Sequence, residues 1–238
     1  MKSHVLFKHV ISNVVIALVI VSVIAVALSG GVVAVSGKPR AIYKGGSKTN
    51  VSLMVNVYWG TEYLDSMLNI FEQQGVKTTF FVGGSWAVAN QEMLKKIYQK
   101  GHEIGNHGYY HKDHKNISRE RNREEIAVTH ALVKDILGID MTLFAPPSGS
   151  FSDVTLEVAA QLGYQTVMWT NDTIDWRDKD KTLIFNRAIK NISGGTLVLM
   201  HPTYATIDAL GDIIAKIKSL GLNITPVSQA LSDNNIFW

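Results

Sequence analysis

Gln74-Gly75-Val76-Lys77-Thr78-Thr79-Phe80-Phe81-Val82 closes an amphipathic segment on a glycine and passes into a short β-branched and aromatic run. Glycine adopts left-handed backbone at little cost, so it suits the C-terminal end of a helix. A short run of apolar, β-branched and aromatic residues suits a parallel strand buried on both faces. The same pattern recurs along the chain. Lys100-Gly101 precedes His102-Glu103-Ile104, Leu137-Gly138 precedes Met141-Thr142-Leu143-Phe144, and Leu162-Gly163 precedes Gln165-Thr166-Val167-Met168-Trp169. Gly194-Gly195 precedes Thr196-Leu197-Val198-Leu199-Met200, and Leu220-Gly221 precedes Asn223-Ile224-Thr225-Pro226. With residues 51–57 this makes about seven strands alternating with helices. Such alternation means α/β with a parallel sheet, either open and doubly wound or closed as a barrel. Periodicity does not choose between the two, but in both the chemistry gathers at the C-terminal ends of the strands.

Polar residues stand at those ends. His107 follows the third run, Pro146-Pro147-Ser148-Gly149 the fourth, Asp172, Asp175 and Trp176 the fifth, and His201 the sixth. His107 and His111 are four residues apart. Two imidazoles at that spacing either turn their nitrogens toward one divalent ion or are ordinary loop histidines. Their place at a strand end favours the ion. His201 is a general acid or base, or a residue satisfied at a strand end. Asp175 favours the first, because a carboxylate on one ring nitrogen fixes the tautomer and raises basicity. Asp172 reads more readily as a simple turn cap. The Pro146-Pro147 turn is rigid and either aims backbone N–H groups at an oxyanion or simply connects strand to helix. Trp59, Trp86, Trp169 and Trp176 are core or sugar-stacking residues, most of them expected in the core, and His114 reads as a surface residue. Asn116, Asn171, Asn191 and Asn223 fit the glycosylation pattern but read as turn residues.

Composition removes other functions. Hydrophobic residues are 46% of the 238, ample for one sizeable core. A net charge of +3, with Lys and Arg scattered among acids, points to no nucleic-acid partner. Cysteine is absent, which excludes disulfides, thiolate metal sites and cysteine nucleophiles.

The N-terminus carries Lys2 and Lys8, then no charged residue over positions 10–35. That length spans a bilayer as a helix. The expected organisation is a cytoplasmic tail at 1–9, a transmembrane or signal-anchor segment at 10–35, a polar linker at 36–50 and a folded domain at 51–238. The protein is then single-pass in the cell membrane with the domain outside the cytoplasm. The alternative is secretion after cleavage near Ala25-Val26-Ala27 or Ala34-Val35-Ser36.

Taken in order, these motifs resemble those of the polysaccharide deacetylases, the NodB-homology domain of family 4 carbohydrate esterases, and most closely the spore-associated members. The residues that carry the resemblance are Thr79-Phe80-Phe81-Val82, Gly101-His102-Glu103-Ile104-Gly105-Asn106-His107 with His111, Pro146-Pro147-Ser148-Gly149, Asp172-Thr173-Ile174-Asp175-Trp176 and Leu199-Met200-His201. The resemblance implies a distorted (β/α) barrel of seven strands. It implies removal of N-acetyl groups from amino sugars in peptidoglycan or a chitin-like polymer, with a divalent metal, usually zinc. His107 and His111 would be ligands, His201 the general acid supported by Asp175, and Pro147, Ser148, Gly149 and Trp176 the substrate and oxyanion region.

Two positions depart from the family. Its first motif reads Thr-Phe-Asp-Asp-Gly, or Phe-Asp, two residues and Trp-Gly in the spore-associated members. Here Asn56-Val57-Tyr58-Trp59-Gly60 puts Asn56 in place of the base, and Asn does not take up a proton. The Arg that orients the base is replaced by Ala145. The two losses agree, since an Arg without its carboxylate would be a buried unpaired charge. Glu62 is the nearest carboxylate, as a third metal ligand, a substitute base or a residue of a first helical turn. The expected function is therefore a metal-dependent deacetylase with a degenerate first motif. The alternative is a pseudoenzyme that binds glycan or serves as an envelope or spore scaffold.

Overall fold

The computed structural model describes residues 38–232. The expected tail at 1–9 and the apolar segment at 10–35 lie outside these residues. Among the described residues no helix is long and apolar enough to cross a membrane.

The central strand is β1 (Asn50–Val57), in which every residue after Asn50 is buried. Burial on both faces is why the run is almost wholly apolar. It pairs in parallel with β2 (Thr79–Val82) on one side, Met54 beside Thr79, and with β7 (Leu197–Met200) on the other, Leu53 beside Val198. The remaining strands are β3 (Glu103–Asn106), β4 (Leu143–Phe144), β5 (Gln165–Thr166), β6 (Asn171–Asp172) and β8 (Asn223–Ile224). The order across the sheet is β5-β4-β3-β2-β1-β7-β6, with β8 beside the start of β1. A doubly wound sheet reverses direction at its first strand. Here the order runs round a ring, and β1 joins β7. The result is a half-barrel of seven parallel strands, open between β5 and β6.

The helices cover the outside: α1 (Thr61–Gln73), α2 (Gly84–Ala89), α3 (Gln91–Gln99), α4 (Arg119–Leu137), α5 (Asp153–Gln161), α6 (Lys181–Ala188), α7 (Tyr204–Ser219) and α8 (Val227–Leu231). Leu64, Leu68 and Phe71 of α1, with Ile213 and Ile217 of α7, bury against the sheet and form one core with Phe80 and Val198. Gly75, Gly101, Gly138, Gly163 and Gly221 all have positive φ, as expected of glycines that end helices.

Two expectations about the frame are corrected. The run at 223–226 is the short β8, outside the ring path, and the ring position belongs to β6, two polar residues with no apolar signature. His201 therefore follows β7, and Asp172 lies within a strand rather than after one. The second correction concerns the linker at 36–50. From Lys38 onward this segment is part of the domain. Ile42 is buried and lies along β5, donating to Thr166 O (2.9 Å) and accepting from Met168 N (2.8 Å). A Cβ on Gly45 would stand 2.0 Å from Ala230 O, and one on Gly194 would stand 2.1 Å from Lys48 C. The glycine that resembles linker composition allows two backbones to touch.

Candidate active site

The C-terminal ends of the strands surround a cleft of about 490 Å³, lined by Asn56, Trp59, His107, His111, His201 and Trp176 among others. β1 delivers Asn56, β3 runs directly into His107, and β7 runs directly into His201.

His107 is buried, and its backbone N–H donates to Val82 O (3.0 Å). Its Nδ1 is 2.7 Å from Ala145 O. A carbonyl only accepts, so Nδ1 carries the proton and Nε2 keeps its lone pair. Burial, reinforced by neighbouring His111, pushes the imidazolium down to about 3. His107 is therefore neutral at physiological pH, the form that binds metal. The rings of His107 and His111 lie 5.1 Å apart, nearly perpendicular. His111 has φ 54°, and burial lowers its pKa as well.

Asn56 is buried, and its Oδ1 has no hydrogen-bond partner. A buried carbonyl oxygen without a donor is costly. Asn56 lines the same cleft as the two histidines. Glu62 does not join them. It is exposed on the first turn of α1, where its charge favours the helix dipole, and it does not line the cleft. Among the described residues, no three His, Cys, Asp or Glu side chains cluster to hold an ion. The donors beside one another at this end of the cleft are two neutral imidazoles, with the Asn56 side chain lining the same cleft. That set fits a divalent metal through nitrogen and neutral oxygen, without the usual carboxylate.

His201 is held by Asp175. Nδ1 lies 2.8 Å from Asp175 Oδ1, and the His201 backbone N–H donates to Asp175 Oδ2 at 2.6 Å. Thr206 Oγ1 donates to the same Oδ2. Asp175 is buried, and this network leaves Nε2 of His201 available. The Trp59 indole stacks on the His201 ring at 5.5 Å and 9°. Sequence reading missed Thr206, which sits on α7, 31 residues from Asp175, and has no local signal.

Of the three residues expected at the oxyanion turn, the structure leaves Ser148 to offer a backbone N–H. Pro147 is buried and has no N–H, and the Gly149 N–H donates to Pro146 O (3.0 Å). Ser148, with φ 54°, lines the cleft. A Cβ on Gly149 would stand 2.7 Å from Trp169 Cη2, so glycine lets this turn pack on the tryptophan. Trp59 (43% exposed) and Trp176 (55% exposed) rim the cleft, whereas Trp86 is core. Asp172 also lines the cleft and caps its own turn, accepting from Ile174 N at 2.8 Å. His114 is buried rather than at the surface, with Nδ1 2.7 Å from Asn122 Oδ1.

The polysaccharide deacetylase family model matches residues 44–167, which include the histidine pair. The protein YlxY of Bacillus subtilis (strain 168) is 38% identical over 84% of this chain, which spans 63% of YlxY. The peptidoglycan-N-acetylmuramic acid deacetylase PdaA of the same organism is 27% identical over 84% of this chain and 78% of PdaA. BA3943 of Bacillus anthracis, a CE4 family pseudoenzyme, superposes with a TM-score of 0.79 at 36% identity, over 82% of this chain and 70% of its own. A BA3943 mutant with restored enzymatic activity matches equally, at 0.79 and 35% identity. The chain belongs to the polysaccharide deacetylase family.

Proposed function

We propose that this domain binds N-acetylated amino-sugar strands, of peptidoglycan or a chitin-like polymer, and removes acetyl groups at a rate limited by a missing base. The observation that carries this is the Asp175–His201 pair, complete and facing the same cleft as His107 and His111. The two imidazoles, with the Asn56 oxygen, would hold a divalent metal, zinc by family precedent. When bound, it supplies Lewis-acid polarisation of the amide carbonyl. In the hydrolysis, water adds to the acetyl carbon, the C–N bond breaks and acetate leaves. His201, as the imidazolium, gives its Nε2 proton to the departing amine, while Asp175 fixes the ring and stabilises its cationic form. The proton lost by the attacking water passes to solvent, because Asn56 takes none. Trp59 and Trp176 offer faces for sugar rings.

The deprotonation half is degraded. Asn56 accepts no proton, and no guanidinium comes from position 145. Loss of a general base lowers rates by about 10²- to 10⁴-fold. A second reading, a glycan-binding pseudoenzyme, is favoured by the unpartnered Asn56 oxygen and by the similarity to BA3943. Acetate release from N-acetylglucosamine oligomers and from peptidoglycan separates the two. Slow metal-dependent release that disappears in His201→Ala supports the deacetylase. Binding without any release supports the pseudoenzyme.

The segment at 10–35 would anchor the chain in the cell membrane with the domain outside the cytoplasm, where cell-wall glycan lies. Family resemblance extends this to the spore wall. Fractionation with protease accessibility tests the placement.

A further inference from the structure

His107 is fixed from both sides, by Val82 and Ala145. His111, four residues later in left-handed backbone, depends on the loop between them. That loop is gripped at three points. Gly108 N–H donates to Asn106 Oδ1 (2.9 Å), and Gly84 N–H and Ser85 N–H donate to Gly108 O (2.9 Å) and Tyr109 O (3.1 Å). The third point comes from α4. Tyr109 N–H and Tyr110 N–H both donate to one oxygen, Glu125 Oε2, at 2.7 and 2.6 Å. The other oxygen, Oε1, accepts from Arg121 Nη2 at 2.6 Å.

Glu125 is 1% exposed, in the middle of a helix. A buried carboxylate is costly unless several donors meet it. Helix packing alone would be served by an apolar residue. Here the carboxylate joins α4 to the two peptide N–H groups immediately before His111.

We infer that Glu125 is a positioning residue for the metal pair, setting the place of His111 relative to His107. This rests on the reading that the two histidines hold a divalent metal. Partners behind metal ligands commonly alter affinity by about 10- to 100-fold.

The test titrates zinc into the full-length protein and compares Glu125→Met and Glu125→Gln with His111→Ala. Each fold is checked by circular dichroism and metal-free melting. Glu125→Met is expected to weaken zinc binding by about 10- to 100-fold. Glu125→Gln keeps an acceptor oxygen and should weaken it less. In a His111→Ala background, Glu125→Gln should weaken binding no further. Wild-type zinc affinity in either folded variant would overturn the inference, as would an equal loss with His111 already removed. A lower melting temperature with unchanged affinity would make Glu125 structural only. A wild type that binds no zinc would fail at the earlier step, the metal reading itself, and would take the inference with it.

Discussion

Asp175 holds His201 through two hydrogen bonds, 2.8 Å to Nδ1 and 2.6 Å to the backbone N–H. The first sets the tautomer and the second sets where the ring begins. Asp175→Asn keeps the shape but offers Nδ1 an amide. Acetate release by this variant should fall by about 10²- to 10⁴-fold, with zinc binding unchanged. Steady-state assays with a zinc titration check both. Unchanged release would remove His201 as the acid.

The aromatic rim can be tested without turnover. Trp59 stacks on His201, and Trp176, half-exposed, lines the same cleft. Replacing either by Ala should weaken binding of chitin oligosaccharides by about 2- to 10-fold, read by calorimetry. Trp86→Ala should instead lower stability, because Trp86 is core and its indole N–H donates to Thr61 Oγ1 (2.8 Å).

His102 supplies a pH dependence away from the cleft. Its Nδ1 accepts from Thr78 N–H (3.2 Å), and its ring packs against Phe71 and Phe80. Burial, aided by the positive charges of Lys77 and Lys100, lowers its pKa to about 4. An unfolded histidine titrates near 6.5. The unfolded chain therefore binds a proton below pH ~6.5 that the folded chain refuses until about 4. Stability should fall as pH drops through that window, by at most about 3 kcal/mol from this group. Urea unfolding against pH should show the slope, reduced in His102→Gln. An identical slope in the variant would assign the effect elsewhere.

Gly45 tests the boundary of the domain. A methyl group there meets the Ala230 carbonyl. Gly45→Ala should destabilise the domain by about 1–3 kcal/mol, measured by denaturant unfolding. A free linker would show almost no change.

Most of the frame was legible because glycine-then-strand repeats report two local necessities, helix termination and burial. The histidine pair and Asp175–His201 were legible because each stands where an apolar run ends. What escaped depends on distant neighbours. β6 is two polar residues paired with Val198 and Leu199, so nothing in Asn171-Asp172 announces a strand. Residues 38–49 read as linker because close backbone approach and flexibility both select glycine. Glu62 is near Gly60 in sequence, yet the first turn of α1 leaves it exposed and off the cleft. Glu125 lies within Arg119-Glu120-Arg121-Asn122-Arg123-Glu124-Glu125, a wholly charged and polar run in which no residue type marks a buried position. Only the fold shows that its last carboxylate points inward.

We propose an intact acid half, Asp175–His201, beside a base half lost at Asn56. The most direct measurement is acetate release from N-acetylglucosamine oligomers by zinc-loaded Asn56→Asp, alone and with Ala145→Arg, against wild type. The restored carboxylate should raise the rate by about 10²- to 10⁴-fold, and His201→Ala should abolish the gain. A folded, zinc-loaded Asn56→Asp protein that releases acetate no faster than wild type, with or without Ala145→Arg, would mean that position 56 is not where the base is lost.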